Sequence, residues 1–181
     1  VKPAGFIESA GVFRSSTTTD DANTRFGAIP LGDQPSQSLL SFRHTRMQLK
    51  SEYDVNGTLK FSAYLESDFM NRTPNEPFRW RQYWGKVEIG KWEVLAGRGW
   101  SLLRPNRSGI QTETAMMNTY VADAGYHVGL VGNRERHIRI VRHEGNWHFA
   151  LAYERGRDFV PKVAHDSKHF HFEVMGVKGA G

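Results

Sequence analysis

The chain has 181 residues, no cysteine, a formal net charge of +5 and 39% hydrophobic residues, with a mean hydropathy of −0.56. No run approaches the roughly 20 apolar residues of a membrane helix, which excludes a helical membrane protein; without cysteine there is neither a disulfide framework nor a thiolate metal site. Hydropathy does not exclude a β-barrel, whose strands give half their residues to a polar interior, and the positive charge allows nucleic acid, anionic lipid or anionic solutes as partners.

The opening run from Gly5 to Phe13 is a weak strand candidate. Phe42 to Val55 is the strongest periodic segment. Thr45, Met47, Leu49, Tyr53 and Val55 occupy one parity, interrupted by Ser51, against His44, Arg46, Gln48, Lys50 and Glu52. That alternation predicts a strand with one apolar and one charged face. Asn56-Gly57 follows, a dipeptide typical of tight hairpin turns. Leu59, Phe61, Ala63, Leu65 and Phe69 then alternate with Lys60, Ser62, Tyr64, Glu66 and Asp68. Phe78 to Ile89 and Trp92 to Ser101 form a second hairpin around Gly90-Lys91. Arg136 to His143 turns at Glu144-Gly145-Asn146 into Trp147, Phe149, Leu151 and Tyr153. His169 to Val177 adds a strand with Phe170, Phe172 and Val174 on one face. The expected fold is all-β, about eight antiparallel strands with no long helix, forming one transmembrane β-barrel domain over 1–181 or the N-terminal half of one.

Short turns at 56–57, 90–91 and 144–146 alternate with longer connections at about 14–38, 70–77, 102–135 and 156–168. Membrane barrels sort their connections in this way, with the long loops extracellular, whereas a soluble sandwich has no reason to. Tyr53, Phe69, Trp80, Trp84, Trp92, Trp100 and Trp147 fall near strand ends, where amphipathic rings settle at a membrane interface. In a soluble protein the same rings would fill a core.

The polar strand faces would line a water-filled pore. Arg46, Lys50, Lys60 and Arg98, with the loop residues Arg104 and Arg107, would attract anions, and Glu52, Glu66 and Asp68 would form the opposing wall. Alternatively these charges pair with one another and fill a closed eight-stranded barrel that acts as an anchor or adhesin. A third possibility is a soluble ligand-binding β-barrel or sandwich with the Met47, Leu49, Phe61 and Leu65 face turned inward. His143-Glu144-Gly145-Asn146-Trp147-His148 has one residue too many for a zinc-protease motif and lies on a turn. His169 and His171, with His165 nearby, allow a metal pair, but a polar strand face accounts for them more simply. No nucleophile set or carboxylate pair stands out, so neither enzymatic activity, a cofactor nor a metal is expected. The basic residues alternate with acids and form no stripe for nucleic acid.

Four segments in order resemble the dicarboxylate-type (DcaP-like) outer-membrane porins: Thr45-Arg46-Met47-Gln48-Leu49, Tyr64-Leu65-Glu66-Ser67-Asp68-Phe69, Phe78-Arg79-Trp80-Arg81-Gln82-Tyr83-Trp84-Gly85 and Leu95-Ala96-Gly97-Arg98-Gly99-Trp100-Ser101. The resemblance implies a trimeric, sixteen-stranded barrel in the bacterial outer membrane, in contact with its lipid and lipopolysaccharide. Small anionic solutes such as carboxylates would cross it by passive diffusion. It also implies that the loop after the fifth strand folds into the lumen. Here that constriction loop is 102–135, with Arg104, Arg107, Glu113 and Asp123. Arg98 stands where the family often has Gln. With about eight strands, the chain is expected to be an N-terminal portion.

Overall fold

A computed structural model describes residues 1–17, 31–70, 78–106, 108–110 and 134–179. Among them the chain forms twelve strands and no helix: β1 Lys2–Phe6, β2 Ala10–Arg14, β3 Gln37–Ser41, β4 Arg46–Asp54, β5 Leu59–Asp68, β6 Arg79–Ile89, β7 Trp92–Trp100, β8 Arg134–Glu144, β9 Trp147–Glu154, β10 Asp158–Asp166, β11 His171–Met175 and β12 Lys178–Gly179. The hydrogen-bonded order is β1-β4-β5-β6-β7-β8-β9-β10-β11 with β12 on β10, and β2 pairs β3 separately. β1 and β11 stand at the ends of that order among the described residues. Pairing is antiparallel from β6 through β11. The all-β antiparallel class expected from the period-two pattern is the one the chain adopts.

The strand count exceeds the expected eight for local reasons. The opening run is two strands rather than one, and β3, β10 and β12 carry too little alternation to stand out. The expected long connection at 156–168 is mostly β10. Pro161 hides it, because proline cannot donate to a sheet ladder. In the fold Pro161 falls between the β10–β11 pairing, which begins at Lys162↔Met175, and the β10–β12 pairing, which ends at Phe159↔Lys178. The missing N–H therefore costs no ladder bond there.

The chain packs as two compact units. One comprises Val1–Lys2, Leu49–Leu65 and Arg81–Gly181; the other comprises Pro3–Gln48 and Glu66–Trp80. In the first, hairpin turns fix the register. Asn56 Oδ1 accepts from the Thr58 and Leu59 amides, while Gly57, at φ 76°, adopts a left-handed conformation that favours glycine. Gly97 is needed for another reason: a Cβ there would lie 2.3 Å from the Tyr83 carbonyl oxygen on the neighbouring strand. The second unit holds the β2–β3 hairpin. It also holds an ion pair in which Arg79 forks onto both oxygens of the buried Asp68, with Nε at 2.9 Å.

The side chains are distributed inside out. On β9, Phe149, Leu151 and Tyr153 are exposed while Ala150, Ala152 and Glu154 are buried. On β8, Ile138 and Ile140 are exposed, and His137, Arg139 and Val141 are buried. On β5, Phe61 and Leu65 are exposed, and Ser62, Tyr64 and Glu66 are buried. Met47, Leu49 and Tyr53 of β4 are exposed too. The inward orientation of the Met47, Leu49, Phe61 and Leu65 face, required by a soluble barrel or sandwich, is therefore not what the chain adopts. Two small apolar clusters lie on the buried face: Tyr64, Trp84 and Leu95, and a set built from Val141, Ala150, Ala152, Val160 and Ala164 with Leu102 and Ile110.

Candidate functional site

Register turns the exposed side chains of β7 to β10 into continuous rows. One row runs Val94, Ile140, Leu151, Pro161, and the next runs Ala96, Ile138, Tyr153, Phe159. The rows form a continuous apolar surface on the exposed side of the sheet. On β7, Trp92 and Trp100 bracket the rows. Their separation of eight residues spans about 27 Å at the usual strand rise, close to the roughly 25 Å apolar band of a membrane barrel. Both rings carry arginine: Arg142 lies 5.0 Å from the Trp92 centroid, and Arg104 and Arg134 lie 3.9 and 4.6 Å from that of Trp100. A shallow groove of about 400 Å³ crosses this face over Ala63, Gly85 and Ala96, flanked by Tyr53, Phe61 and Val94.

The opposite face buries charge. Arg139, with its side chain 1% exposed, donates to Glu93 at 2.8 Å, and Lys86 reaches Glu93 at 3.4 Å. Lys162, also fully buried, lies 3.0 Å from Glu173. An ionised group buried without compensation costs several kcal/mol, so each burial implies its partner. Farther along, the His143 and His148 Nδ1 atoms are 2.7 Å apart, so one ring donates to the other. His148 Nε2 lies 3.2 Å from Asp166, which His171 also contacts.

The first part of the connection after β7 lies on this charged face. Glu154 accepts from Ser101 Oγ at 2.6 Å and from the Leu102 amide at 2.8 Å. Lys162 donates to the Arg104 carbonyl and to Asn106 Oδ1, both at 2.8 Å, and Glu173 accepts from the Asn106 amide at 2.8 Å. Asp166 accepts from Ser108 Oγ and from the Gly109 amide. Between these anchors Leu102 and Ile110 pack against Ala150, Ala152 and Ala164. Small side chains on the buried parity of β9 and β10 make room for the segment.

Arg46 and Gln48 occupy the parity of the buried face and meet Glu66, at 3.8 and 2.9 Å. Lys50 shares that parity and pairs Glu52 at 2.9 Å. Lys60 lies near the hairpin turn, half-exposed, 3.6 Å from Asp54. Glu66 and Asp68 are both buried. Arg98 departs from the expected pore-facing position. It follows Val94 and Ala96 in parity and pairs across β7 with Tyr83 and Arg136, on the apolar face. Arg104 stacks on Trp100, while Arg107, Glu113 and Asp123 lie outside the described residues. Trp84 also departs from its expected interfacial place: it is buried, stacked on Tyr64 at 5.4 Å. His165 stacks on Phe172 among the exposed aromatics, whereas His171 pairs with Asp166 and Glu173 on the other face. Sequence reading missed Glu93, Arg139, Glu154, Lys162 and Glu173, because none stands out until register brings it to a partner. Comparison with protein families, with characterised proteins and with solved structures gives no match.

Proposed function

We propose that this chain forms wall strands of an outer-membrane β-barrel, with its apolar face on lipid and its charged face lining a passage for small anionic solutes such as carboxylates. The observation that carries the reading is the inside-out alternation of β8 to β10, large apolar residues exposed and Arg139, Lys162 and Glu154 buried. Ile140, Phe149 and Leu151 stay 41–46% exposed, which in water forgoes roughly half of the about 1.5–3 kcal/mol of full burial each, a cost that hydrocarbon removes. Residues 101–106 and 108–110, pinned to the charged face, narrow the passage in this reading, and the charge of +5 favours anions.

The ion pairs support a second reading. Arg46 with Glu66, Arg79 with Asp68, Arg139 with Glu93 and Lys162 with Glu173 neutralise one another, as the filled interior of a closed membrane anchor would require. Planar-bilayer recording of the full-length protein separates the two. Discrete, anion-preferring conductance is expected of the passage. Absence of conductance supports the anchor, and cation preference contradicts the anion passage.

A further inference from the structure

The anchors of the connection after β7 share one histidine. Glu173 accepts from the Asn106 amide, and Asp166 accepts from Ser108 Oγ and the Gly109 amide. His171, opposite Asp166 across β10 and β11, lies between these two carboxylates. Its Nδ1 donates to Asp166 Oδ1, and its Nε2 lies 3.0 Å from Glu173 Oε1. The first contact assigns a proton to Nδ1, because a carboxylate only accepts. A neutral ring then has no proton on Nε2 and turns a lone pair toward Glu173. Among the described residues Nε2 has no aligned hydrogen-bond partner. The contact with Glu173 is therefore electrostatic, and it attracts only when the ring is cationic.

Charge balance around the ring leads the same way. The buried Lys162 lies 3.0 Å from Glu173, and the next cation, Arg139, pairs Glu93. Among the described residues Asp166 meets no lysine or arginine; its other ring partner is His148, at 3.2 Å, which is linked in turn to His143. Two carboxylates thus face one permanent cation, and an imidazolium at His171 completes the balance. We infer that His171 is a pH-sensitive latch on the connection after β7. Its imidazolium holds Asp166 and Glu173, and through them Asn106, Ser108 and Gly109, and its neutral form loosens them. Histidine changes charge between about pH 5 and 8. The hold is present at the acid end of that interval and lost as pH rises, the opposite of a hold set by carboxylate ionisation. The latch stands on the anchors alone, whether or not the face conducts; in a passage its release widens the channel on the alkaline side.

The test is amide hydrogen exchange at Asn106 and Gly109 in the full-length protein folded in detergent micelles. It is read at about pH 5 and about pH 8.5, either side of the histidine range, and corrected for the intrinsic base-catalysed rate. Protection is expected to fall on the order of tenfold at the higher pH, the size implied by losing one charged partner. His171→Lys keeps its charge across the interval and should keep the protection at the higher pH. His171→Asn donates to Asp166 without ever charging, and should show the low protection at both. Where the asparagine variant does not fold, the lysine variant decides alone, since loss of its protection at the higher pH contradicts the latch. Native protection that is equal at the two pH values, or greater at the higher one, overturns it. A response that persists in His171→Asn and disappears in His148→Asn assigns the switch to His148 and overturns the latch at His171.

Discussion

The two faces of β9 differ in both size and polarity. One carries Phe149, Leu151 and Tyr153 outward, and the other buries Ala150, Ala152 and Glu154. A water-soluble sheet puts its large apolar side chains in the core and its charges in water. Here size and polarity are both reversed, and the reversal extends through β8 and β10. On these strands charge is buried beside small apolar side chains while the large apolar ones stay exposed. Charge is buried where an opposite charge or an amide meets it, as at Arg139–Glu93 and at Glu154 with the Leu102 amide.

The largest effect should come from breaking the buried face. Arg139→Met leaves Glu93 without its 2.8 Å partner and is expected to cost about 3–5 kcal/mol, read by denaturant unfolding of the refolded protein. Adding Glu93→Gln should recover part of it, because the buried carboxylate that keeps only Lys86 at 3.4 Å disappears. A comparable loss in the double variant would mean that packing, not charge, sets the cost.

Next comes the exposed face. Leu151→Arg is expected to destabilise the vesicle-inserted protein by about 2–4 kcal/mol, whereas an exposed site in a water-soluble protein would change by no more than about 0.5 kcal/mol. Unfolding from lipid vesicles decides between these values.

Asp166→Ala tests the segment that joins the faces. It removes the acceptor for Ser108 and Gly109 and should cost about 1–2 kcal/mol. It should also raise protease cleavage within 104–110 and, in the passage reading, conductance. The smallest effect belongs to Lys60→Ala at the hairpin rim. Its pair with Asp54 is about half-exposed on both sides, and a change within about 0.5 kcal/mol is expected.

The exposed face was legible in the sequence because period two needs only local order: Met47, Leu49, Phe61, Leu65, Phe149 and Leu151 declare it without any knowledge of their neighbours. The same counting puts Arg98 with Val94 and Ala96, although its charge alone suggests the basic wall. The buried face was far less legible. Arg139 and Glu93 lie 46 residues apart, and only the Glu93↔Val141 register brings them within reach. Glu154 reads as the end of an amphipathic strand until Ser101 and Leu102 return to it. β10 was hidden by Pro161 and by the small residues that make room for Leu102 and Ile110. Local alternation thus gives the fold class, while the site depends on register.

The absence of cysteine permits a direct test of the central claim, that the exposed apolar face contacts lipid. Single cysteines at positions 149 to 153, spin-labelled in lipid vesicles, would report accessibility to dissolved oxygen, which concentrates in hydrocarbon. Accessibility should alternate with period two, with maxima at 149, 151 and 153 and minima at 150 and 152. Maxima at 150 and 152, or labels at 149, 151 and 153 that respond only to a water-soluble relaxant, would contradict the account.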